Sequence, residues 1–231
     1  MKIKWGALVT DGRNKIGGHV ASRNGAGAYI RTKVTPLNPN SESQSGVRAS
    51  FSGRAQAWRG LTEAQRLTWI GAVLNFVSTD IFGDKITPSG FQLYMKLNSN
   101  ITAIAESVLT DAPTPASVFS FTTFSATYTI DTHVLTAIFT AAIPATDKVI
   151  ISATAGVSVG KKFVKSEYRQ IGVMDDSDTT PFDFTALYTA KFGAIPAVGL
   201  KIFVKVKPVC IATGQSGLAR SSSAVIIADT P

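Results

Sequence analysis

The sequence predicts an α+β protein whose helices lie in the first half and whose second half is built of strands. Hairpin-turn pairs punctuate the first part of the chain, which is typical of a small antiparallel meander. Capping-box spacings open two helical patterns, one at Thr62 and one at Ser89. After the proline-containing segment 110–117 the pattern changes to period two with many β-branched residues, which indicates a separate all-β region.

Residues 3–35 are predicted to form a meander of three short strands, at 3–10, 16–22 and 28–35. Asp-Gly at 11–12 and Asn-Gly at 24–25 separate these strands, and both pairs supply the positive φ that a tight hairpin needs. A sheet of this size is marginal alone, so we expect it to pack against another element or another subunit.

The segment 30–48 is rich in proline, asparagine, serine and basic residues. Pro36 and Pro39 remove backbone donors and favour extended geometry in the residues before them. We predict an arm that is neither helix nor strand. Arms of this kind often lie across a neighbouring chain.

Two main helices are predicted next, at 61–77 and 90–109, and we expect them to pack as a hairpin. A shorter helix at 47–58 precedes them. In the first main helix the apolar residues recur at helical period and are predicted to form a broad buried face, made of Leu67, Ile70, Leu74 and Val77 and flanked by Trp69 and Val73.

The C-terminal half is predicted to fold as an immunoglobulin-like or fibronectin type III-like sandwich. The candidate strands are 118–130, 133–142, 147–155, 160–172, 199–212 and 219–228. For residues 182–193 two assignments remain possible, a strand and a one-turn helical crossover. The predicted domains are a docking region at 1–109, a linker at 110–117 and the sandwich at 118–231.

Charge is distributed very unevenly along the chain. Residues 1–59 hold ten of the 23 Lys and Arg but only two of the 15 Asp and Glu, so they account for the whole net charge of +8. This asymmetry predicts a polyanionic or acidic partner for the first quarter of the chain.

The candidate contact residues lie in that quarter, where their long side chains reach outward from predicted turns, strand ends and helix. They are Arg13, Lys15, Arg23, Arg31, Lys33, Arg48 and Arg54. Three alternatives stay open: a solvated basic surface, contact with an acidic protein surface, and contact with nucleic acid, which needs only charge placement.

The patterns that could indicate an enzyme are weak. The two histidines, His19 and His133, are expected to be structural or solvated, and the Ser-x-x-Lys spacing at 158–161 falls in a hairpin instead of at a helix start. The acidic run 175–178 lacks the glycine turn and the distal Glu of a calcium loop, so a solvated loop is favoured over a weak ion site. We predict no catalytic residues, no metal and no cofactor.

Composition limits which classes of protein the chain can belong to. The single cysteine, Cys210, excludes an intramolecular disulfide and is expected to be buried. No apolar run approaches the ~18 residues of a membrane span, and the first residues lack the apolar region of a signal peptide. We therefore expect synthesis in the cytoplasm and no membrane partner.

The strings "IGGHV…GAGAYIRTKVTPLNPNSESQSGVR", "AWRGLTEAQRLTW" and "SGFQLYMKLNSNI" resemble a group of bacteriophage and prophage virion-associated proteins. The resemblance covers about residues 12–101. Its matching positions are Ile16, Gly17, Gly18, Ile30, Arg31, Pro36, Asn38, Pro39, Ser41, Gln44, Arg48, Trp58, Leu61, Thr62, Trp69, Phe91, Asn98 and Asn100.

The resemblance implies a non-enzymatic structural protein of the virion, in the capsid shell, as a decoration or in the head–tail region. The expected partners are other virion subunits, either copies of this chain in a homo-oligomer or the capsid protein. The alternative hypothesis is a basic protein whose residues 1–59 contact the packaged genome.

Overall fold

A computed structural model describes residues 1–4, 6, 12–35 and 37–226. The chain is α+β, as predicted, with four α-helices and several antiparallel sheets among these residues. It divides into two compact units, Met1–Leu93 and Tyr94–Pro231, which we call the N-terminal and C-terminal units. The predicted domain boundaries at 110–117 stay a prediction.

The meander is formed by β1 (Asn14–Ile16), β2 (His19–Asn24) and β3 (Gly27–Thr32), in that order. The predicted first strand, at 3–10, and the predicted turn at 11–12 lie largely outside the described residues. The predicted turn at 24–25 is shifted by one residue, because the loop residues are Gly25 and Ala26. Asn24 stands first in that turn and its Oδ1 accepts from the amide of Ala26 at 3.0 Å, a role that asparagine favours.

Helices and a small hairpin complete the N-terminal unit. They are α1 (Glu42–Gly60), α2 (Glu63–Ala72), a 3₁₀ turn (Val73–Phe76), β4 (Ser78–Thr79), β5 (Lys85–Ile86) and the start of α3 (Gly90–Ala103). Both predicted capping boxes are confirmed: Thr62 and Gln65 exchange hydrogen bonds, and so do Ser89 and Gln92. The prediction that 30–48 is entirely irregular is wrong at both ends. Residues 30–32 belong to β3, and 42–48 belong to α1, because Ser41 caps that helix and accepts from the amide of Gln44.

The C-terminal unit contains the larger sheets. Its strands are β6 (Phe124–Thr129), β7 (Val134–Phe139), β8 (Asp147–Ala153), β9 (Val157–Ser158), β10 (Arg169–Met174), β11 (Phe182–Asp183), β12 (Leu200–Cys210) and β13 (Arg220–Val225), with helix α4 (Thr185–Phe192) between β11 and β12. One sheet has the order β10-β8-β12-β13, with β9 also paired to β12. The other has the order β11-β7-β6.

Three of the strand predictions need correction. The strand predicted at 118–130 is wrong for 118–123, because β6 begins at Phe124. The strand predicted at 160–172 is wrong for 160–168, where the chain runs through turns before β10 begins. The segment 182–193, for which a strand and a helical crossover were both considered, contains each of them: a two-residue strand is followed by a helix longer than one turn.

Both large sheets contribute to one apolar core. Alternate residues of each strand are buried in it, among them Leu135, Ala137 and Phe139 of β7, Val149, Ile151 and Ala153 of β8, and Ile202, Val204 and Val206 of β12. Tyr188 of α4 closes the core and donates a hydrogen bond to the carbonyl of Thr154 at 3.1 Å.

The second half of α3 covers part of the outer face of the β10-β8-β12-β13 sheet. Ile101 and Ile104 pack there against Ile150 and Val209. Polar contacts fix this packing: Asn100 donates to the carbonyl of Gly214 at 2.8 Å and accepts from Lys207 at 2.9 Å, and Lys148 pairs with Glu106 at 2.6 Å. Buried Asn98 exchanges two hydrogen bonds with the backbone of Leu109, which holds the chain where it leaves the helix.

Candidate docking surface

Lys2 and Lys4 are each paired with a carboxylate of the N-terminal unit. Lys2 pairs with Asp80 at 3.1 Å and Lys4 with Asp84 at 2.9 Å. Burial works against ionisation of Asp80, but hydrogen bonds from Lys2 and from the amides of Phe82 and Asp84 outweigh it and lower the pKa of Asp80. These pairs hold the first residues against the β4–β5 turn, so Lys2 and Lys4 are structural.

Three predicted contact residues lie on one face of the meander, which we call the basic face. Lys15 and Arg31 both pair with Val20, one from each side, so their side chains project to the same side of the sheet. Lys33 follows Arg31 by two residues, and its amide still donates to the carbonyl of Gly18 at 2.9 Å. All three are exposed, and no carboxylate among the described residues pairs with them.

Arg13 and Arg23 are brought together elsewhere. They line an open pocket of about 470 Å³ whose other walls are Asn14 and the rest of β2 from Val20 to Asn24. Arg23 projects to the side opposite the basic face, because it differs from Val20 by an odd number of residues along the strand. The seven predicted residues therefore form separate groups instead of one patch.

The exposed arm is shorter than predicted and spans 33–41. Every described residue in it is exposed, and Leu37 reaches 94% exposure. Asn38 connects the arm to α1, because its Oδ1 accepts from Nη2 of Arg48 at 2.8 Å and from the amide of Asn40. Thus Asn38, Ser41 and Arg48 of the arm motif have a local role: they start α1 and brace the arm against it.

Helix α1, which lies wholly within the described residues, has no buried residue. Its last turns contact the unit through Trp58, whose ring meets Phe91 edge-on at 5.8 Å. Val47 and Phe51 continue the same side of the helix and are exposed. Arg54 donates a hydrogen bond to the hydroxyl of Ser50 at 2.7 Å. Because Arg48 and Arg54 are six residues apart on the helix, their side chains point in different directions.

Helix α2 and the residues after it, through Val77, present an apolar surface that the sequence did not predict as exposed. The prediction that Leu67, Ile70, Leu74 and Val77 are buried is wrong, and we call these four exposed residues the apolar stripe. The buried side of the helix is instead formed by Trp69, which is fully buried, and is continued by Phe76 in the 3₁₀ turn. A helix that is apolar on two sides is normally covered on both.

The remaining candidate sites have ordinary local structure. In the described residues no group of three or more His, Cys, Asp or Glu side chains is arranged to hold a metal ion. Asp175 accepts from the amide and hydroxyl of Ser177, and these hydrogen bonds lower the pKa of its carboxyl. The hydroxyl of Tyr128 is 2.6 Å from Nδ1 of His133. No helix in the described part is long and apolar enough to cross a membrane.

Comparisons of the chain with protein-family models, with curated proteins and with solved structures found no match. Function is therefore inferred from the sequence motifs and from the surfaces of the N-terminal unit.

Proposed function

We propose that the chain is a non-enzymatic structural protein of a bacteriophage virion, as a capsid, capsid-decoration or head–tail component. It docks onto neighbouring subunits through its N-terminal unit, and its C-terminal unit projects. The observation that carries this proposal is the exposed apolar stripe, together with α1, a helix without a buried residue.

The energetics of α1 support a partner. Most helical stability in proteins comes from packing an apolar face, and the serines and glycines of α1 have lower helix propensity than alanine. Val47 and Phe51 supply such a face without anything covering it in the described chain. Burying the apolar stripe as well contributes roughly 25 cal/mol for each Å² removed from water.

The basic face supports an acidic partner surface. Arg31 can hold a carboxylate with two parallel hydrogen bonds, which fixes geometry as well as charge, while Lys15 and Lys33 act as point charges. The resemblance of the arm and helix motifs to phage proteins provides the virion context.

For the C-terminal unit we propose a fibronectin type III-like sandwich. In the related immunoglobulin sandwich, strands A, B and E share one sheet and strands C, F and G the other, to which a C′ strand can be added. The orders β10-β8-β12-β13 and β11-β7-β6 correspond to these when β6 is taken as strand A, and this correspondence supports the proposal.

Particle binding by truncated and substituted chains tests the docking proposal. Deleting residues 1–59 should abolish co-sedimentation with virions while the remaining chain stays folded. Reversing the charge at Arg31, Lys33 and Arg48 together should weaken binding in a salt-sensitive way. The same reversal at Lys162, Lys165 and Lys191 in the C-terminal unit is the matched control and should leave binding unchanged. Normal occupancy of the truncated chain on particles would refute the proposal.

The alternative, contact with the packaged genome, is favoured by one observation: the basic face has no acidic partner in the described residues. Binding to duplex DNA would weaken with salt, with a slope of about −0.9 in log K against log salt for each phosphate contact. Absence of DNA binding at low salt eliminates this alternative.

A further inference from the structure

Three lysines of β12 lie on the outer face of its sheet: Lys201, Lys205 and Lys207. Ile202, Val204 and Val206, which alternate with the outward positions of β12, are buried in the core, so strand alternation directs these lysines away from it. Lys207 donates to Asn100. Lys201 and Lys205, in contrast, have no carboxylate partner among the described residues, and we call them the outer-face lysines.

Both outer-face lysines lie against aromatic rings. Nζ of Lys201 is 4.8 Å from the ring centroid of Phe203, and Nζ of Lys205 is 4.5 Å from that of Tyr168. Lys201 is only 9% exposed, although no anion compensates its charge in the described residues. A partly buried charge interacts more strongly with an incoming anion than a fully hydrated one.

The groups around these lysines are also partly withdrawn from water. Burial raises the pKa of the Tyr168 hydroxyl. Burial, and then the charge of Lys205, lower the pKa of Lys207. The face therefore combines positive charge with reduced solvation, which favours binding of a negatively charged group.

Hydroxyl groups flank the outer-face lysines in register. Ser152 and Ser221 stand on either side of Lys205, on β8 and β13, and Ser223 stands beside Phe203. None of the residues paired with Phe203 or Lys205 on β8 and β13 is acidic. Ser152 is buried and the hydroxyl of Ser221 bonds Tyr168, whereas Ser223 is exposed and its hydroxyl can both donate and accept hydrogen bonds.

The loop 159–168 borders the same surface. It begins directly after β9, where Val157 pairs with Lys201, and it ends at Tyr168, whose ring covers Lys205. Between these points the loop exposes Lys162, Lys165 and Phe163, which is 75% exposed. It adds two further cations and an open aromatic ring.

We propose that this surface binds an acidic polysaccharide. The outer-face lysines bind its carboxylates or phosphates, the exposed hydroxyl of Ser223 binds a sugar hydroxyl, and Phe163 covers the apolar face of a sugar ring. The two lysines are four residues apart on an extended strand, a separation of roughly 13 Å. This spacing fits a polymer with an acidic group on alternate sugars.

A nucleic acid fits the same surface less well. Its backbone has a phosphate for every ~3.4 Å of each strand, a much denser charge than the two lysines match. Single-stranded nucleic acids also need open ring faces for base stacking. The rings of Phe203 and Tyr168 already have lysine ammonium groups over them, so among the rings of this surface only Phe163 is open for stacking, too few for successive bases.

Calorimetric titration of the full chain with a hyaluronan octasaccharide, whose carboxylates lie on alternate sugars, tests this proposal. We expect saturable binding, and no binding of neutral maltooctaose. Lys205→Gln should weaken binding about tenfold, since a hydrogen bond to a charged group is lost. Lys191→Gln, which removes an exposed lysine of α4, is the matched control and should bind normally.

Lys201→Gln should weaken binding similarly, and its thermal unfolding must be followed because the site is buried. A chain with charge reversal on the basic face, at Lys15, Arg31 and Lys33, should keep full affinity for the glycan. Absence of hyaluronan binding, equal losses in Lys191→Gln and Lys205→Gln, or tighter lysine-dependent binding of oligo-dT would each overturn the proposal. None of these results affects particle docking, which is measured separately.

Discussion

Tyr188 is fully buried, and its hydroxyl donates a hydrogen bond to the carbonyl of Thr154. Burial raises the pKa of Tyr188 to about 12, above the ordinary value of 10.0. The folded state therefore favours the protonated hydroxyl. The stabilisation is fully present below pH 10 and is lost as the pH rises from 10 through about 12.

Tyr188→Phe should lower the free energy of unfolding at neutral pH by about 1–2 kcal/mol, because the Thr154 carbonyl loses its donor in the core. Above pH 10 the difference from the wild type should shrink, since the phenylalanine has no proton to lose. Urea unfolding at pH 7, 9 and 11 measures both effects. Tyr128→Phe, at an exposed hydrogen bond, is the control; a difference that grows with pH would contradict the assignment.

Gly214 is required by both its conformation and its surroundings. Its φ is 69°, and a Cβ there would lie 2.5 Å from the carbonyl oxygen of Leu97. Gly214→Ala should therefore destabilise the chain by about 2 kcal/mol or more, through strain and through displacement of α3 from the turn. Gly160→Ala, where no heavy atom lies within 4 Å of the added carbon, should be nearly neutral in the same thermal unfolding assay.

At the scale of elements, α2 shows how far a sequence pattern reaches. The sequence predicts one helix over 61–77, but the α-helix ends at Ala72 and a 3₁₀ turn follows, and the side that the protein buries is centred on Trp69 and not on the apolar stripe. Period is a local property of the chain. The covered side depends on which distant elements approach the helix, and a helix apolar on two sides leaves that choice open.

The two sides of α2 should respond differently to substitution. Trp69→Ala should cost about 3–5 kcal/mol, because it opens a cavity in the buried part of the unit. Leu74→Gln should change stability by no more than about 0.5 kcal/mol, since the side chain is 73% exposed. Chemical denaturation measures both. In particle co-sedimentation we expect Leu74→Gln to bind particles more weakly than the wild type although it is folded. Normal docking of this variant would exclude the apolar stripe from the interface.

The same distinction explains the other predictions. The capping boxes at Thr62 and Ser89 were predictable because each is complete within four residues. Pairing of Lys2 with Asp80 was not, because 78 residues separate them. The start of α1 was missed because its serine- and glycine-rich first turns have low helix propensity, and the cap at Ser41 decides the matter locally.

For the whole molecule, α3 decides where an independent C-terminal fragment can begin. A start at Ala112, as the predicted linker suggests, removes Ile101 and Ile104 and uncovers Ile150 and Val209. We expect a fragment of residues 89–231 to unfold cooperatively. A fragment of 112–231 should be less stable by on the order of 3 kcal/mol or more, because two isoleucines no longer cover the sheet.

Urea titration of the two fragments, followed by circular dichroism, measures this difference. Fragment 89–231 with Ile101→Ala and Ile104→Ala is the matched control and should approach the shorter fragment in stability. Equal stability of 89–231 and 112–231 would show that α3 contributes nothing to the sheet and would favour the linker at 110–117 as the boundary.

Cys210, predicted to be buried, lies at the end of β12 with 4% exposure, and the amide of Gly214 donates to its carbonyl at 2.8 Å. A thiol in this position reacts with an alkylating reagent only when the strand end opens. Because the chain contains no other cysteine, the rate at which the reagent labels the protein directly reports how often the strand end opens, without any engineered probe. Comparing the labelling rates of free and particle-bound protein would therefore measure the frequency of local opening of the C-terminal unit in each state.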